Sequence, residues 1–391
     1  MKEVLGFLLC VLRVSLSAAD IETKGFDHFY NLEFDDAVAA FAQATQRQPG
    51  NPLYHNHLAQ AVLYREMLRS GALESELVTG NNPFLRRSKL KVSEEDQQRF
   101  ETSIAKSLEL ADRALATNPN DSEALYAQGV AYGLRGNYNF LVRKSWTDAL
   151  KDATAARKAH DRLTKLKPDM ADARLVEGVH DYVVGSLPWT YKMVGFLVGF
   201  RGDKDGGIRT LEMVAQKGVK NRNDAKILLG VVYRRERQPA KAVALIRDLL
   251  KEYPRNYLLR LELVQMYADL GDKEKALVEL RNIEALKRSG SPGFVALPFE
   301  KINYARGNLL FWYRDYDWGI EELRKAAAKA KDLDLNTGSM AWLRLGQCLD
   351  MKQQRTPALE SYRAAIALAP DSDAARQAKG YLTSPYKRGK D

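Results

Sequence analysis

Residues of the same kind recur along this chain at intervals close to 34, and a repeat of that length leaves few folds open. Gly129, Tyr132 and Gly136 are echoed by Gly230 and Tyr233, and Tyr267 and Gly271 follow Tyr233 after 34 and 38 residues. A second set keeps step with the first: Ala242, Ile246 and Pro254, then Ala276 and Leu280. Near the C-terminus Gly346, Ala358, Tyr362, Ala365 and Pro370 hold the full register. The pattern describes two antiparallel helices packed closely. Small residues let the backbones approach, a larger side chain fills the gap beside them, and proline ends the second helix. One such hairpin cannot bury its own apolar face, so neighbours must stack. A stack also needs no single large core, which 391 residues would otherwise divide among domains.

On these residues the chain resembles the tetratricopeptide repeat family. The resemblance implies an all-α, right-handed superhelical solenoid of helix pairs with irregular inserts. Weaker pairs read the same way: Gly25 with Ala37, Phe41, Ala44 and Pro49; Ala111 and Ala114 before Pro119; Gly178 after Pro168; Gly307 with Trp318, Leu323 and Ala326. We expect about eight pairs between Ile21 and Pro370, a capping helix over 372–382, a solenoid spanning 20–383 and a basic tail over 384–391. Inserts fall near 71–95, 138–153, 185–207 and 289–298. The second is expected to lengthen a helix over 138–166, and the last reads as a plain glycine, serine and proline linker. The glycine-punctuated stretch from Gly195 to Ile208 is similar to one in signal-peptide-bearing bacterial repeat proteins and, more faintly, in eukaryotic inclusion-body clearance proteins.

The first nineteen residues have the order of a secretory leader: Lys2, an apolar run from Val4 to Leu12, then Ser17-Ala18-Ala19. The expectation is an exported protein, periplasmic or secreted, cut after Ala19. Its apolar run, interrupted by Arg13, is short for a membrane span. With 45% hydrophobic and 28% charged residues the chain is neither disordered nor polytopic. Two cysteines, Cys10 and Cys348, exclude a disulfide framework and a cysteine-ligated metal. The net charge of +10 permits acidic partners or anionic surfaces.

Residues suited to catalysis are sparse, and no enzyme activity and no cofactor or metal are expected. His55 and His57 lie on different faces of a helix, which spoils them as paired metal ligands. His28, His160 and His180 are isolated in sequence, and Cys348 reads as a packed core residue. No phosphate loop, nucleophile elbow or His-Glu-x-x-His sequence is present. Arg201-Gly202-Asp203 reads as a turn before a helix capped by Asp203 or Asp205.

Tetratricopeptide arrays bind extended segments on the concave surface of their first helices, three positions before and one after the small residue. Carried onto this sequence, that rule selects Tyr126 and Val130, Leu175 and Val179, Ile227 and Val231, Leu261 and Gln265, and Leu343 and Gln347. These residues are mostly apolar and include no lysine, so capture of a free carboxyl terminus is not expected. Either the groove takes an amphipathic segment or acyl chain, or the inserts close it. The expected function is a scaffold for protein or peptide partners. One alternative is a membrane-peripheral assembly or trafficking factor that uses the apolar stretch 183–200, with Trp189 and Phe196, and the basic pair Arg234 and Arg235. The other is a hydrolase or metal protein whose site is assembled from several repeats. Nucleic acid is not expected as a partner, and oligomeric state is left open.

Overall fold

A computed structural model describes residues 17–73, 89–186 and 202–389. Seventeen α-helices run through them, with no strand among the described residues: α1 Ala18–Tyr30, α2 Phe34–Arg47, α3 Pro52–Arg69, α4 Glu94–Thr117, α5 Ser122–Tyr138, α6 Trp146–Leu166, α7 Leu175–Gly185, α8 Lys204–Lys217, α9 Arg222–Arg235, α10 Pro239–Glu252, α11 Tyr257–Asp269, α12 Lys273–Arg288, α13 Phe299–Trp312, α14 Tyr316–Ala328, α15 Leu335–Met351, α16 Arg355–Leu368 and α17 Asp373–Thr383. Each helix packs on the next in chain order. The result is a superhelical solenoid of hairpins α1–α2 to α15–α16, closed at its end by α17.

Five of the hairpins share one turn. Leu32, Arg237, Gly271, Arg314 and Gln353 stand with positive φ just after the first helix of their pairs. The following residue returns its N–H to the last helical turn, as Gln238 does to the Tyr233 carbonyl and Gln354 to that of Leu349. Such left-handed caps satisfy carbonyls that a helix end leaves bare. The starts are capped as well. The Asn51 side chain accepts from the Leu53 N–H before Pro52, and the Asp121 carboxylate accepts from Glu123 and Ala124. Within pairs, glycine is dictated by the opposite ring. A Cβ on Gly25 would lie 2.5 Å from Phe41, and one on Gly346 would lie 2.5 Å from Tyr362.

Two inserts depart from expectation. The stretch 138–166 is not one helix: a π-helical turn, Asn139–Arg143, ends at left-handed Lys144 before α6 begins. Asp152 explains the break, because it takes Arg135 Nε at 2.9 Å and Asn139 Nδ2 at 2.9 Å and so folds the turn back on α6. Nor is 289–298 a plain linker, since Phe294 and Leu297 are buried. Gly293, with φ of 82°, lies so close to the Arg255 backbone that no side chain fits.

The solenoid winds back on itself. Arg255, between α10 and α11, donates to Asp27 Oδ2 at 2.6 Å and to Glu33 Oε1 at 2.8 Å, both at the end of α1. Asn256 Nδ2 reaches the Tyr30 carbonyl at 2.8 Å, and the Arg255 N–H reaches Asn31 Oδ1 at 2.9 Å. Farther along, Gly71 after α3 touches Asp334 before α15. Hairpins distant in sequence thus face one another across an interior space.

Candidate functional site

That space is a cavity of about 1700 Å3, completed by residues of α6 and α10 and lined mainly by α1, α3, α5, α7, α9, α11 and α13. These are the first helices of successive pairs, which the repeat places on the inner side. Of the residues selected by the repeat rule, Tyr126, Val130, Leu175, Val179, Ile227, Val231, Leu261 and Gln265 all line it. Leu343 and Gln347 do not. They are 0% and 1% exposed, because α15 is enclosed by α13, α14, α16 and α17, and Gln347 is spent on Arg344 at 2.7 Å. Trp189 and Phe196 lie outside the described residues. Arg234 lines the cavity but pairs with Glu262 at 3.2 Å, while Arg235 is exposed on the outer side.

At the seam between α1 and α9 the wall becomes polar. Asp224, in the first turn of α9, accepts a hydrogen bond from the Tyr30 hydroxyl at 3.0 Å. Burial raises its carboxyl to about 6, and the nearby charge of Asp172 adds to the rise, against the hydrogen bond. Asp172 itself is satisfied by the backbone: its carboxylate accepts from Asn221 N at 2.8 Å and Val219 N at 3.0 Å, which sets the start of α9. Tyr126 donates to Asn221 Oδ1 at 2.9 Å, and the ring of Tyr253 lies tilted against that of Tyr30 with ring centres 4.9 Å apart. Burial carries Tyr64 and Tyr126 far above the ordinary phenol range, and the Asp224 charge adds to it.

Other ionic groups of the wall are neutralised in place. Lys226 meets Asp248 at 2.5 Å, Lys220 meets Glu123 at 2.8 Å, and Lys301 meets Asp334 at 2.8 Å. His160, packed beneath Gly129, is buried with no hydrogen bond from the described residues to either ring nitrogen. Burial lowers it to about 4, so it is neutral in ordinary buffers. His57 pairs with Glu22 at 2.9 Å, and His55 reaches the Pro49 carbonyl.

His28, Glu33 and Asp36 come close enough together to hold a cation by geometry. Arg255 already occupies both Glu33 oxygens, and a metal there would face its guanidinium. Cys348 is buried, and burial pushes its thiol up to about 12, so it is no nucleophile at neutral pH. Among the described residues no helix is long and apolar enough to cross a membrane.

Sequence reasoning missed Asp224 and Arg255. A signal for Asp224 was present, because it lies six residues before Gly230, as Asp172 does before Gly178 and Glu123 before Gly129. One turn further back along the groove face would have reached it. Arg255 had no such signal, since its partners lie more than 200 residues away.

Comparison with family models agrees with a repeat of helix pairs. Family models described as tetratricopeptide repeat match residues 23–66, 227–285 and 340–372. The BBSome complex member BBS4 homolog of Drosophila melanogaster is 24% identical over 159 residues, 41% of this chain. The match spans only 30% of that relative's length. Among solved structures, yeast Tom70 is 14% identical with a TM-score of 0.42, covering 94% of this chain and 95% of its own. The human IFIT1 dimer with m7Gppp-AAAA is 13% identical with a TM-score of 0.46, covering 94% and 81%. YrrB, a TPR protein with an unusual peptide-binding site, is 15% identical with a TM-score of 0.32, covering 70% and 99%.

Proposed function

The chain is a tetratricopeptide-repeat protein, and from that premise we propose that it is a non-catalytic scaffold holding an amphipathic segment of another protein in its interior cavity. The observation that carries this reading is the convergence of apolar residues from four separate first helices, Tyr126, Leu175, Ile227 and Leu261, on one space. Apolar surface so arranged is stabilised by a partner that removes it from water, at about 25 cal/mol per Å2. Amphipathic helices docked in grooves use this arrangement. The apolar side chains of the lining support a segment of this kind as the occupant.

A photo-reactive amino acid introduced in turn at Val179 and Ile227 in the native host tests the reading. One partner should be labelled from both positions, and Leu175→Arg should abolish both adducts. Adducts formed only from an outer position such as Glu109 would overturn it.

Export to the periplasm or medium belongs to the same proposal and rests on the order of residues 1–19. Helix α1 begins at Ala18, and the side chains and backbones of Ser17 and Asp20 cap each other. A cut after Ala19 would remove that capping box. N-terminal sequencing of the protein from fractionated cells decides the matter: a chain beginning at Asp20 in the exported fraction supports export, and an intact chain retained inside the cell refutes it.

A further inference from the structure

Asp224 differs from every other carboxylate on the cavity wall. Asp27 holds Arg255, Glu252 holds Lys226, Glu262 holds Arg234, and Glu22 holds His57. Asp224 forms no ion pair among the described residues. Its Oδ1 takes the Tyr30 hydroxyl, and Oδ2 accepts no hydrogen bond from them. Two lysines close to it in sequence that also line the cavity are committed elsewhere, Lys220 to Glu123 and Lys226 to Asp248 and Glu252. A shielded anion without a partner costs free energy, and burial has already made this one a weaker acid. The group is nonetheless part of the cavity surface, together with the rings of Tyr30, Tyr64, Tyr126 and Tyr253.

We propose that Asp224 is a cation subsite of the cavity and receives the ammonium group of a lysine side chain on the bound segment. The proposal rests on the scaffold reading and supplies the chemistry of its partner. Lysine fits better than arginine, because a guanidinium fork seeks both carboxylate oxygens and one is already held by Tyr30. The compact ammonium needs a single acceptor. Its charge and methylene stem suit the tyrosine faces, which attract cations and cover apolar surface together. The arrangement is the reverse of a clamp for a terminal carboxylate: the protein contributes the anion and the partner the cation.

The test uses the full chain and two helix-forming 14-residue peptides of leucine, alanine and glutamine, one with a single central lysine and the other with norleucine in its place. Titration calorimetry at pH 8 should show the lysine peptide binding at least about tenfold more tightly, as expected for one shielded charge pair. Asp224→Asn keeps the shape and should erase the preference while leaving the norleucine peptide unchanged. Tyr30→Phe frees Oδ1 and should retain the preference, which separates the charge from mere integrity of the seam. Lowering the pH to 5 should weaken only the lysine peptide, because Asp224 takes a proton there while the surrounding Tyr30, Tyr64, Tyr126 and Tyr253 stay neutral and Asp172 stays hydrogen-bonded to backbone. Equal affinity of the two peptides for the unaltered chain would overturn the cation subsite and leave the groove standing. Binding of neither peptide, with no photo-adducts from Val179 or Ile227, would overturn both. Binding of n-butylamine as tightly as the lysine peptide would overturn the assignment to a protein segment.

Discussion

Two shielded aspartates, Asp224 on the cavity wall and Asp334 before α15, have opposite surroundings. Asp334, before α15, faces Lys301 at 2.8 Å, caps the helix through the Thr337 N–H at 2.9 Å, and lies against Gly71. Burial works against its charge, but Lys301 and the cap hold the carboxyl below the usual range. Asp224 has a tyrosine and, among the described residues, no cation, and its carboxyl rises to about 6. The first region is finished within the chain, with apolar residues of α13 to α17 closed over one another. The second is built as if one component came from outside. A buried charge thus stabilises the solenoid where the chain supplies the counter-charge and strains it where the chain does not.

Removing Asp334 should have the largest effect. Asp334→Ala leaves Lys301 buried without its partner and α15 without its cap, and should cost about 3–5 kcal/mol in urea unfolding. The stability Asp334 contributes is full at neutral pH and is lost as the pH falls below the ordinary aspartate range, so the variant and parent should converge in acid. Asp224→Asn should move the other way. With the folded carboxyl near 6 and the unfolded one near 4, the penalty for ionisation is absent below about pH 4 and complete above about pH 6. The variant should therefore gain stability at pH 8, by no more than about 3 kcal/mol, and nothing at pH 4. A loss at pH 8 would erase the contrast between the two regions.

The glycines sharpen the same contrast. A Cβ on Gly346 meets Tyr362, whereas one on Gly230, at the same repeat position on the cavity wall, meets nothing within 4 Å. Gly346→Ala should cost about 1–3 kcal/mol by overpacking. Arg255→Met should loosen the seam by about 1 kcal/mol, because the guanidinium is only partly shielded from water. Hydrogen exchange should then quicken in α1 and α2 while α15 to α17 are unaffected. Gly230→Ala should be the smallest change, a gain of about 0.5–1 kcal/mol from helix propensity with no clash to oppose it.

Much of the fold was legible because the repeat is a local code. Gly346, Tyr362 and Pro370 specify how one hairpin packs, and stacking follows from what each hairpin leaves uncovered. The lining Tyr126, Leu175 and Ile227 was legible by the same code. Leu343 and Gln347 obey it too, yet they are buried, because the code says which face of a helix turns inward and not whether another part of the chain covers that face. The kink at Lys144 escaped for a related reason: it is set by Asp152 gripping Arg135 and Asn139 from the facing helix.

By itself, then, the sequence determined that this chain is a row of helix hairpins with small residues at their contacts, since these depend on neighbours within about 34 residues. Only the tertiary structure decided that the row curls until Arg255 grips Asp27 and Glu33, that a cavity forms inside, and that Asp224 stands there without a counter-charge from the described residues. Small rotations between successive pairs accumulate along a solenoid, and which distant residues finally meet is a property of their sum.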